Sequence, residues 1–495
     1  MGTMSFLLPA DIASDRVQEL ERACVSGGPD NMPWATGVRI EDDRLILTRD
    51  VEESGCLVAP WEVDGAGRLM GSSGTLIERS SPYLLQLELA RGKVNQLRCQ
   101  AAEWEHGGLV VPAELARQIR EASLQFSRAV ACAPEPDADA QALQALALSY
   151  RASEALVQQY IEQMFAARHH RQPQLDTALS CRLGAGDAND VPDNYCHSFN
   201  HAAITFSWRE IEPEQGEHHW EPFDRLLDWA KENKLNVSGG PLIDFSTGGL
   251  PEWVLEWHDD LASLAIFMCD FVRAVIHRYK DRVRVWQISH GTNCPRQVHL
   301  SEDEMLWLTV QLAESARQVD PNYALVVGLN QPWGEYMAAE DRTHSPLIFA
   351  DTLIRAGLNV AGIDLELVMG IAPDGSYCRD LLDTSRLIDL YTMLNIPLRV
   401  TLGFPSAVDA DSNAAEGLTV SLGRWRGDFS LQTQSDWTAL FASLCLCKPI
   451  VRGVQWTHLS DAKSHLFPHC GLIDHEGNVK PAFDRLKELR QKHLR

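Results

Sequence analysis

Several kinds of segment are missing from this sequence, and each absence removes a class of protein. No run of about 18 apolar residues is present, which is the length that spans a bilayer. The opening residues, MGTMSFLLPADIASDR, form only a short apolar patch without a basic flank, unlike an export signal. We therefore expect a cytoplasmic protein that does not bind a membrane.

Basic residues are in the minority, with 44 Lys and Arg against 68 Asp and Glu and a formal net charge of -24. Because affinity for nucleic acid depends on Lys and Arg neutralising phosphates, we expect no nucleic-acid partner. The 12 cysteines are scattered and contain no CxxC pair, so neither a thiolate metal site nor a disulfide framework is indicated. Reduced, buried thiols are the expectation.

Several motifs of catalysis are also absent. No GxSxG elbow indicates acyl transfer, and no HExxH gives fixed zinc-ligand spacing. No glycine-rich phosphate loop opens a helix, which weakens the main alternative fold, a doubly wound sheet. We expect neither a cofactor nor a metal.

Hydrophobic periodicity divides the chain into three regions. Residues 1–95 contain short strand candidates separated by turn residues and predict a small β-sandwich. Residues 96–172 have apolar residues at helical spacing, interrupted by prolines in APEPDADA, and predict a helical connector on which the sandwich packs. Residues 173–495 alternate between short apolar strands and amphipathic helices, as in Phe223, Leu226, Leu227 and Ala230.

Eight strand candidates lie in this last region: ALSCRL, AAITFSW, NVSGGPLID, RVRVWQIS, YALVVGLN, VAGIDLELV, PLRVTL and VRGVQWTHL. Eight strands that alternate with helices predict a (β/α)8 barrel, also called a TIM barrel. The fold class is therefore α/β, with the barrel preceded by the sandwich and the connector. In such barrels the functional residues lie where strands end, at the C-terminal face.

Four segments, in order, resemble the xylanases of glycoside hydrolase family 10. The first runs from FNHAAITFSWREIEPEQGEHHW to LPEWV and includes Trp208; VRVWQISHGTN and GIDLELVMG resemble the fourth and sixth strands. SDAKSHLFPHCGLIDHEGNVKPAF, with Asp461, resembles the closing segment. The resemblance spans about 320 residues and implies the barrel fold, a carbohydrate substrate and hydrolysis of glycosidic bonds.

The resemblance breaks at the catalytic positions. The family's acid/base glutamate follows an asparagine, where this chain has His290 and Gly291; its nucleophile stands in a Thr-Glu step, where this chain has Thr401 and Leu402. Ser207, Gly240 and Asp244 replace the family's lysine, histidine and tryptophan, which argues against ordinary xylan. Because a retaining glycosidase needs two carboxyl groups about 5–5.5 Å apart, the family's mechanism does not transfer directly.

Three acids are the candidates for a non-standard carboxylate pair. Glu366 stands where the family has a glutamine beside the nucleophile, and strand alternation puts it on one face with Asp364. Asp244 or Glu335 would supply the second carboxylate. The structural alternatives are an ion pair of Glu366 with Arg182 or Arg399, a turn-capping Asp244 and a salt-bridged Glu335.

Substrate-binding candidates are aromatic or polar residues near strand ends. Tryptophan faces stack on sugar rings, and amides or imidazoles order hydroxyls. These candidates are Trp208, His290, Asn330, Trp333, Trp456, His458 and Asp461, with Trp286 as a fourth member of a tryptophan row. We expect Glu366, Asp244, His290 and Asn330 to open into one cleft.

Three functions remain open on these residues. The first is a divergent glycoside hydrolase in which Glu366→Gln would lower turnover at least about a hundredfold. The second is a catalytically inactive barrel that binds glycans, with the sandwich as an accessory carbohydrate-binding module. The third is a metal-assisted hydrolase or isomerase that uses His290, His458, His465 and His469.

Overall fold

The computed structural model describes residues 2–9, 12–133, 137–340 and 342–495, without the side chain of Asp137. The prolines predicted to break the helical region, Pro134 and Pro136, lie outside the described residues. None of the described helices has both the length and the apolar character needed to cross a membrane.

Short strands dominate the N-terminal part of the chain. They are β1 Gly2–Leu7, β2 Cys24–Gly27, β3 Met32–Trp34, β4 Gly37–Glu41, β5 Arg44–Arg49, β6 Gly55–Val63, β7 Gly67–Leu76 and β8 Tyr83–Leu84, with helix α1 Ser14–Glu19 between β1 and β2. One sheet has the order β4-β5-β1-β8, and β7-β6-β2-β3 are neighbours in a second sheet. Alternating side chains of both sheets, such as Phe6 and Leu57, share one hydrophobic core.

Three long helices follow, α2 Leu85–His106, α3 Ala113–Cys132 and α4 Asp137–Arg171. Helix α2 packs closely on β7, because a Cβ atom on Gly92 would lie 1.9 Å from the carbonyl oxygen of Ser72. Helix α2 begins at Leu85, about ten residues before the end of the predicted sandwich. The division into three domains stays a prediction.

Eight parallel strands then close into a barrel, which confirms the predicted fold class. The strands are β9 Ala178–Leu183, β10 His201–Ile204, β11 Asn236–Gly239 continued by β12 Ile243–Asp244, β13 Val285–His290, β14 Ala324–Leu329, β15 Gly362–Val368, β17 Leu398–Gly403 and β20 Val451–Trp456. Each pairs with its neighbours in chain order, β20 pairs with β9, and β11 and β12 both pair with β13. Most strand residues are buried, as expected for parallel strands covered by helices.

Helices occupy the connections between these strands: α5 Tyr195–Ser198, α6 Trp208–Ile211, α7 Glu221–Glu232, α8 Glu252–Leu255, α9 Leu261–Tyr279, α10 Glu302–Val319, α11 Pro346–Arg355, α12 Leu381–Tyr391, α13 Leu431–Cys447 and α14 Pro481–His493. The apolar spacing predicted for α7 is confirmed, since Phe223, Leu226, Leu227 and Ala230 are its buried residues. Ser301 and Glu304 form a capping box at the start of α10, which satisfies backbone N–H groups that the helix leaves free.

A barrel loop completes the second N-terminal sheet. The segment after β17 contains β18 Thr419–Val420, which pairs with β16 Ile371–Ala372, and β19 Arg424–Trp425, which pairs with β7. The side chain of Lys93 in α2 also lies 2.6 Å from Asp380 at the start of α12. The N-terminal sheets and α2 therefore contact the barrel side that carries these loops.

Candidate active site

Two carboxylates and two guanidinium groups meet inside the barrel. On β15, Asp364 and Glu366 point to the same face, and both are buried. Arg399 on β17 lies 3.0 Å from Asp364, and Arg182 on β9 lies 3.5 Å from it. Thr401 donates its hydroxyl proton to Asp364 over 3.0 Å. Burial raises the pKa of Asp364, but Arg399 and Arg182 outweigh it, so the pKa is held below its usual range.

Glu366 lies at the mouth side of this network and is only 2% exposed. Its Oε2 atom is 3.4 Å from Nη1 of Arg182, and its Oε1 atom is 3.3 Å from Nε2 of His290. Burial lowers the pKa of His290, but the carboxylates of Glu366 and Asp244 outweigh it, so the pKa is raised above its ordinary value. Glu366 is therefore held between Arg182 and His290.

Gly291 and Leu402 stand where the family resemblance predicts the two catalytic glutamates. Gly291 has φ +69°, and a Cβ atom there would lie 3.4 Å from the hydroxyl of Ser246 and 3.5 Å from the amide of Asn330. Leu402 is buried in the hydrophobic core. Alternation along β17 puts Gly403, rather than Leu402, on the inner face with Thr401. The inner face at the mouth thus has glycine where this strand ends.

A cavity of about 430 Å³ opens at the C-terminal face of the barrel. Its walls come mainly from the loops after β9, β10, β12 and β20, and Arg182 contributes to it. Asp244 lines the cavity, but Glu366 and His290 are not among its lining residues. Asp244 also accepts a hydrogen bond of 2.9 Å from the backbone N–H of Ser246, as the turn-capping alternative requires.

Two acids that sequence reasoning missed lie at the same cavity. Burial raises the pKa of Asp187 to about 6, although its carboxylate accepts a hydrogen bond from the backbone N–H of Gly184. Burial also raises the pKa of Glu210, and the charge of Asp187 adds to this effect. The available signal was their position in the loops directly after the first and second strands.

Asn330 and Glu335 have separate surroundings. Asn330 is buried, and its amide donates to Ser246 over 3.0 Å. Glu335 lies 2.7 Å from Arg379 and accepts a 3.0 Å hydrogen bond from the backbone N–H of Tyr377. These are the contacts of a salt-bridged residue, and neither partner belongs to the Glu366 network. Of Glu366, Asp244, His290 and Asn330, which the sequence predicts in one open cleft, only Asp244 lines the mouth cavity, and the shared cleft stays a prediction.

The tryptophans do not form an exposed row. Trp208, Trp286 and Trp456 are each at most 1% exposed, and the indole of Trp456 donates to the carbonyl of Cys470 over 2.7 Å. Trp333 is partly buried, lies 4.9 Å from the Arg379 guanidinium and lines a different cavity of about 620 Å³ beside the N-terminal sheets and α2. A sugar platform built from all four is therefore not what the fold provides.

The eighth-strand loop supplies an internally paired group. His458 lies 3.0 Å from Asp461, and the ammonium of Lys480 contacts the other carboxylate oxygen. Burial and the neighbouring His465 lower the pKa of His458 to about 4, so this imidazole is neutral near pH 7. His458 and His465 line the mouth cavity, whereas Asp461 accepts a hydrogen bond from the backbone N–H of Gly471 in the same loop.

Comparison with known proteins gives a consistent group. A family model described as Glycosyl hydrolase family 10 matches residues 189–305. Endo-1,4-beta-xylanase B of Thermotoga neapolitana is 22% identical over 308 residues, which are 58% of this chain and 79% of that protein. Endo-1,4-beta-xylanase A of Phanerodontia chrysosporium is 26% identical over 187 residues, covering 35% of this chain and 42% of the relative.

Two solved structures have similar coverage. The complex of xylanase 10B from Thermotoga petrophila with xylobiose is 17% identical, covers 64% of this chain and 94% of its own, and has a TM-score of 0.45. Native xylanase 10B from Thermotoga maritima is 16% identical, covers 64% and 95%, and has a TM-score of 0.46. By its match to the family model, the barrel is similar to those of glycosyl hydrolase family 10, and the curated proteins that this chain resembles are xylanases.

Proposed function

We propose that this protein binds an oligosaccharide in the cavity at the mouth of its barrel and does not hydrolyse it by the two-glutamate mechanism. One observation carries the proposal: Glu366, the acid expected beside the family's nucleophile position, is 2% exposed and is held by Arg182 and His290. A glycosidic oxygen or anomeric carbon needs direct contact with a carboxyl group, and Arg182 lines the cavity where Glu366 does not.

The cavity itself fits a polar, hydroxyl-rich ligand. Carboxylates of Asp244 and Asp187 accept hydrogen bonds, whereas Arg182 and Lys463 donate them, and all four line it. Sugar hydroxyls both donate and accept, so this mixed lining can satisfy them. The xylanase relatives make linear β-1,4-linked oligosaccharides the first class to test.

The test measures binding and turnover separately. Isothermal titration calorimetry with xylo-, cello- and manno-oligosaccharides should show that one of these classes binds. Chromatography of the same mixtures should show no shorter oligosaccharides released by hydrolysis. Asp244→Asn should weaken binding about tenfold, since a charged hydrogen-bonding group contributes about 1.5–3 kcal/mol. Asp259→Asn, at a carboxylate 92% exposed on the barrel surface, is the matched control and should bind as wild type.

Absence of binding to every oligosaccharide would contradict the proposal. Turnover that Glu366→Gln reduces about a hundredfold would establish the hydrolase in which Glu366 is catalytic.

A second candidate function is a glycoside hydrolase that uses Asp187 and Asp244 as its carboxylate pair. Its supporting observation is the pKa of about 6 for Asp187, which lines the same cavity as Asp244. A protonated carboxyl and an ionised one are the two roles that glycoside hydrolysis requires. In that case aryl glycosides would be cleaved, Asp187→Asn would abolish the reaction, and Glu366→Gln would preserve it.

A further inference from the structure

A histidine and aspartate cluster lies on two barrel loops, outside the lining of the mouth cavity. Asp411 follows β17, whereas His469 and His475 follow β20. One ligand atom from each of the three residues lies within 4.8 Å of the other two. Nδ1 of His469 is 3.8 Å from Oδ2 of Asp411, and Nε2 of His475 is 3.7 Å from Oδ1.

These spacings approach those around a bound zinc ion. With ligand bonds of about 2.0–2.1 Å in a tetrahedral site, neighbouring ligand atoms stand about 3.4 Å apart. The two distances to Asp411 are therefore about 0.3–0.4 Å longer than this spacing, and all three ligand atoms lie within 4.8 Å of one another. His475 is 40% exposed, so its side chain is free to close this difference.

Hydrogen bonding sets the tautomer of His469. Its Nε2 atom lies 2.8 Å from the carbonyl oxygen of Asp409, which only accepts, so the ring proton of the neutral imidazole is on Nε2. Nδ1 is then left with a lone pair directed towards the Asp411 carboxylate, which is also an acceptor. Either a second ring proton or a metal ion between the two acceptors would remove their repulsion. A carbonyl behind the far ring nitrogen is the usual support of a metal-bound histidine.

Asp411 is held in place by donors on its other sides. Its side chain is fully buried, Oδ1 accepts from the backbone N–H of Asn413 over 3.1 Å, and Oδ2 accepts from that of His469 over 3.0 Å. Nε2 of His465 lies 3.0 Å from Oδ2, while its Nδ1 contacts the carbonyl of Lys463 at 2.7 Å. Carboxylates that ligate metals are oriented by such hydrogen bonds.

The neighbouring group of His458, Asp461 and His465 is a poorer candidate. It also brings three ligand atoms together, but Lys480 already supplies a cation to Asp461. The backbone N–H of Gly471 donates to the remaining oxygen of Asp461 over 2.6 Å.

We propose that Asp411, His469 and His475 bind one divalent transition-metal ion of the zinc class. Imidazole and carboxylate are suitable ligands for zinc, and three protein ligands leave one position for water. The ion would join the loop after β17 to the loop after β20, next to His465 in the wall of the mouth cavity. This site is independent of the proposed carbohydrate binding.

The test is a zinc titration of the full chain after treatment with a chelator. Competition with a chromophoric chelator should give one zinc per chain, and His475→Ala and Asp411→Asn should each weaken binding at least about tenfold. His475→Ala changes an exposed side chain and should fold normally. The matched control is His258→Ala, because His258 forms an exposed pair with Asp259 at 3.2 Å without belonging to the cluster.

Cobalt distinguishes this site from adventitious binding to the 12 cysteines. The cobalt-loaded protein should show visible ligand-field bands without thiolate charge-transfer absorption, and His475→Ala should remove those bands. The proposal is overturned if no zinc binds below about 10 µM, if thiolate bands dominate, or if His475→Ala binds zinc as tightly as wild type.

Discussion

Replacing Arg182 by methionine tests whether the carboxylates inside the barrel are structural. Arg182 is buried and lies within 3.5 Å of both Asp364 and Glu366. Its removal leaves Asp364 with Arg399 and Glu366 with His290 alone. Breaking a buried ion pair by deleting one partner costs about 3–5 kcal/mol, because the remaining charge is uncompensated.

The expected melting shift follows from the size of the barrel. An unfolding entropy of about 2.1 cal/mol/K per residue over about 320 residues gives about 0.7 kcal/mol/K. Arg182→Met should therefore lower the melting temperature by about 4–7 °C at pH 8. Glu366→Gln keeps the shape and an acceptor for Arg182, so its loss of about 1–2 kcal/mol corresponds to about 1.5–3 °C.

Differential scanning fluorimetry at pH 8 and pH 5 provides the assay. Acid should reduce the deficit of Arg182→Met, because Arg182 helps to lower the pKa of Asp364, so without the guanidinium group this buried carboxyl protonates more easily. Arg225→Met on the exposed face of α7 is the control and should stay within about 0.5 kcal/mol of wild type. A melting temperature of Arg182→Met within 1 °C of wild type, or a deficit that grows in acid, would refute the structural role.

Three further outcomes can be checked by thermal melting. The folded-state pKa of His290 is raised, so the stabilisation by the charged imidazole is present below about pH 6.5 and is lost as pH rises through the folded-state pKa. The difference in melting temperature between wild type and His290→Gln should therefore shrink between pH 6 and 9. A constant difference would contradict this. The pKa of Asp187 is raised to about 6, so its ionisation costs up to about 3 kcal/mol of folding stability above that pH. The melting temperature of Asp187→Asn should therefore rise relative to that of wild type between pH 4 and 7. Melting temperatures that change in parallel with pH would count against a buried carboxyl. Gly92→Ala should destabilise by at least about 1–3 kcal/mol because its Cβ meets Ser72, whereas Gly427→Ala, with open space around it, should not; equal melting of the two would remove the close packing of α2 on β7.

Local periodicity was sufficient for the barrel and its helices. A strand covered on both faces is apolar along most of its length, as in GIDLELV. A helix covered on one face has apolar residues three or four positions apart, as in Phe223, Leu226 and Leu227. These two patterns are distinct, so the sequence identifies each element. Alternation on β15 also put Asp364 and Glu366 on one face, and the stated structural alternative named their arginine partners on β9 and β17.

Which residues share the candidate site could not be predicted from the sequence, because it depends on how close the loops lie to one another. The sequence places Asp244, Glu335 and Asn330 at strand ends but contains no signal for which of them share a cavity, since loop direction decides this. Trp208 and Trp456 show the same limit: a tryptophan at a strand end can face the mouth or the helices, and here both are buried.

What the sequence by itself determined was the set of strands and helices that build the barrel, because hydrophobic periodicity is a local property of the chain. Only the tertiary structure decided that β19, more than 340 residues after β7, completes an N-terminal sheet, and that Asp187 has a raised pKa. It also brought Asp411 to His469 and His475. Backbone pairing, desolvation and ligand geometry all depend on groups that are distant in sequence, so no local pattern encodes them.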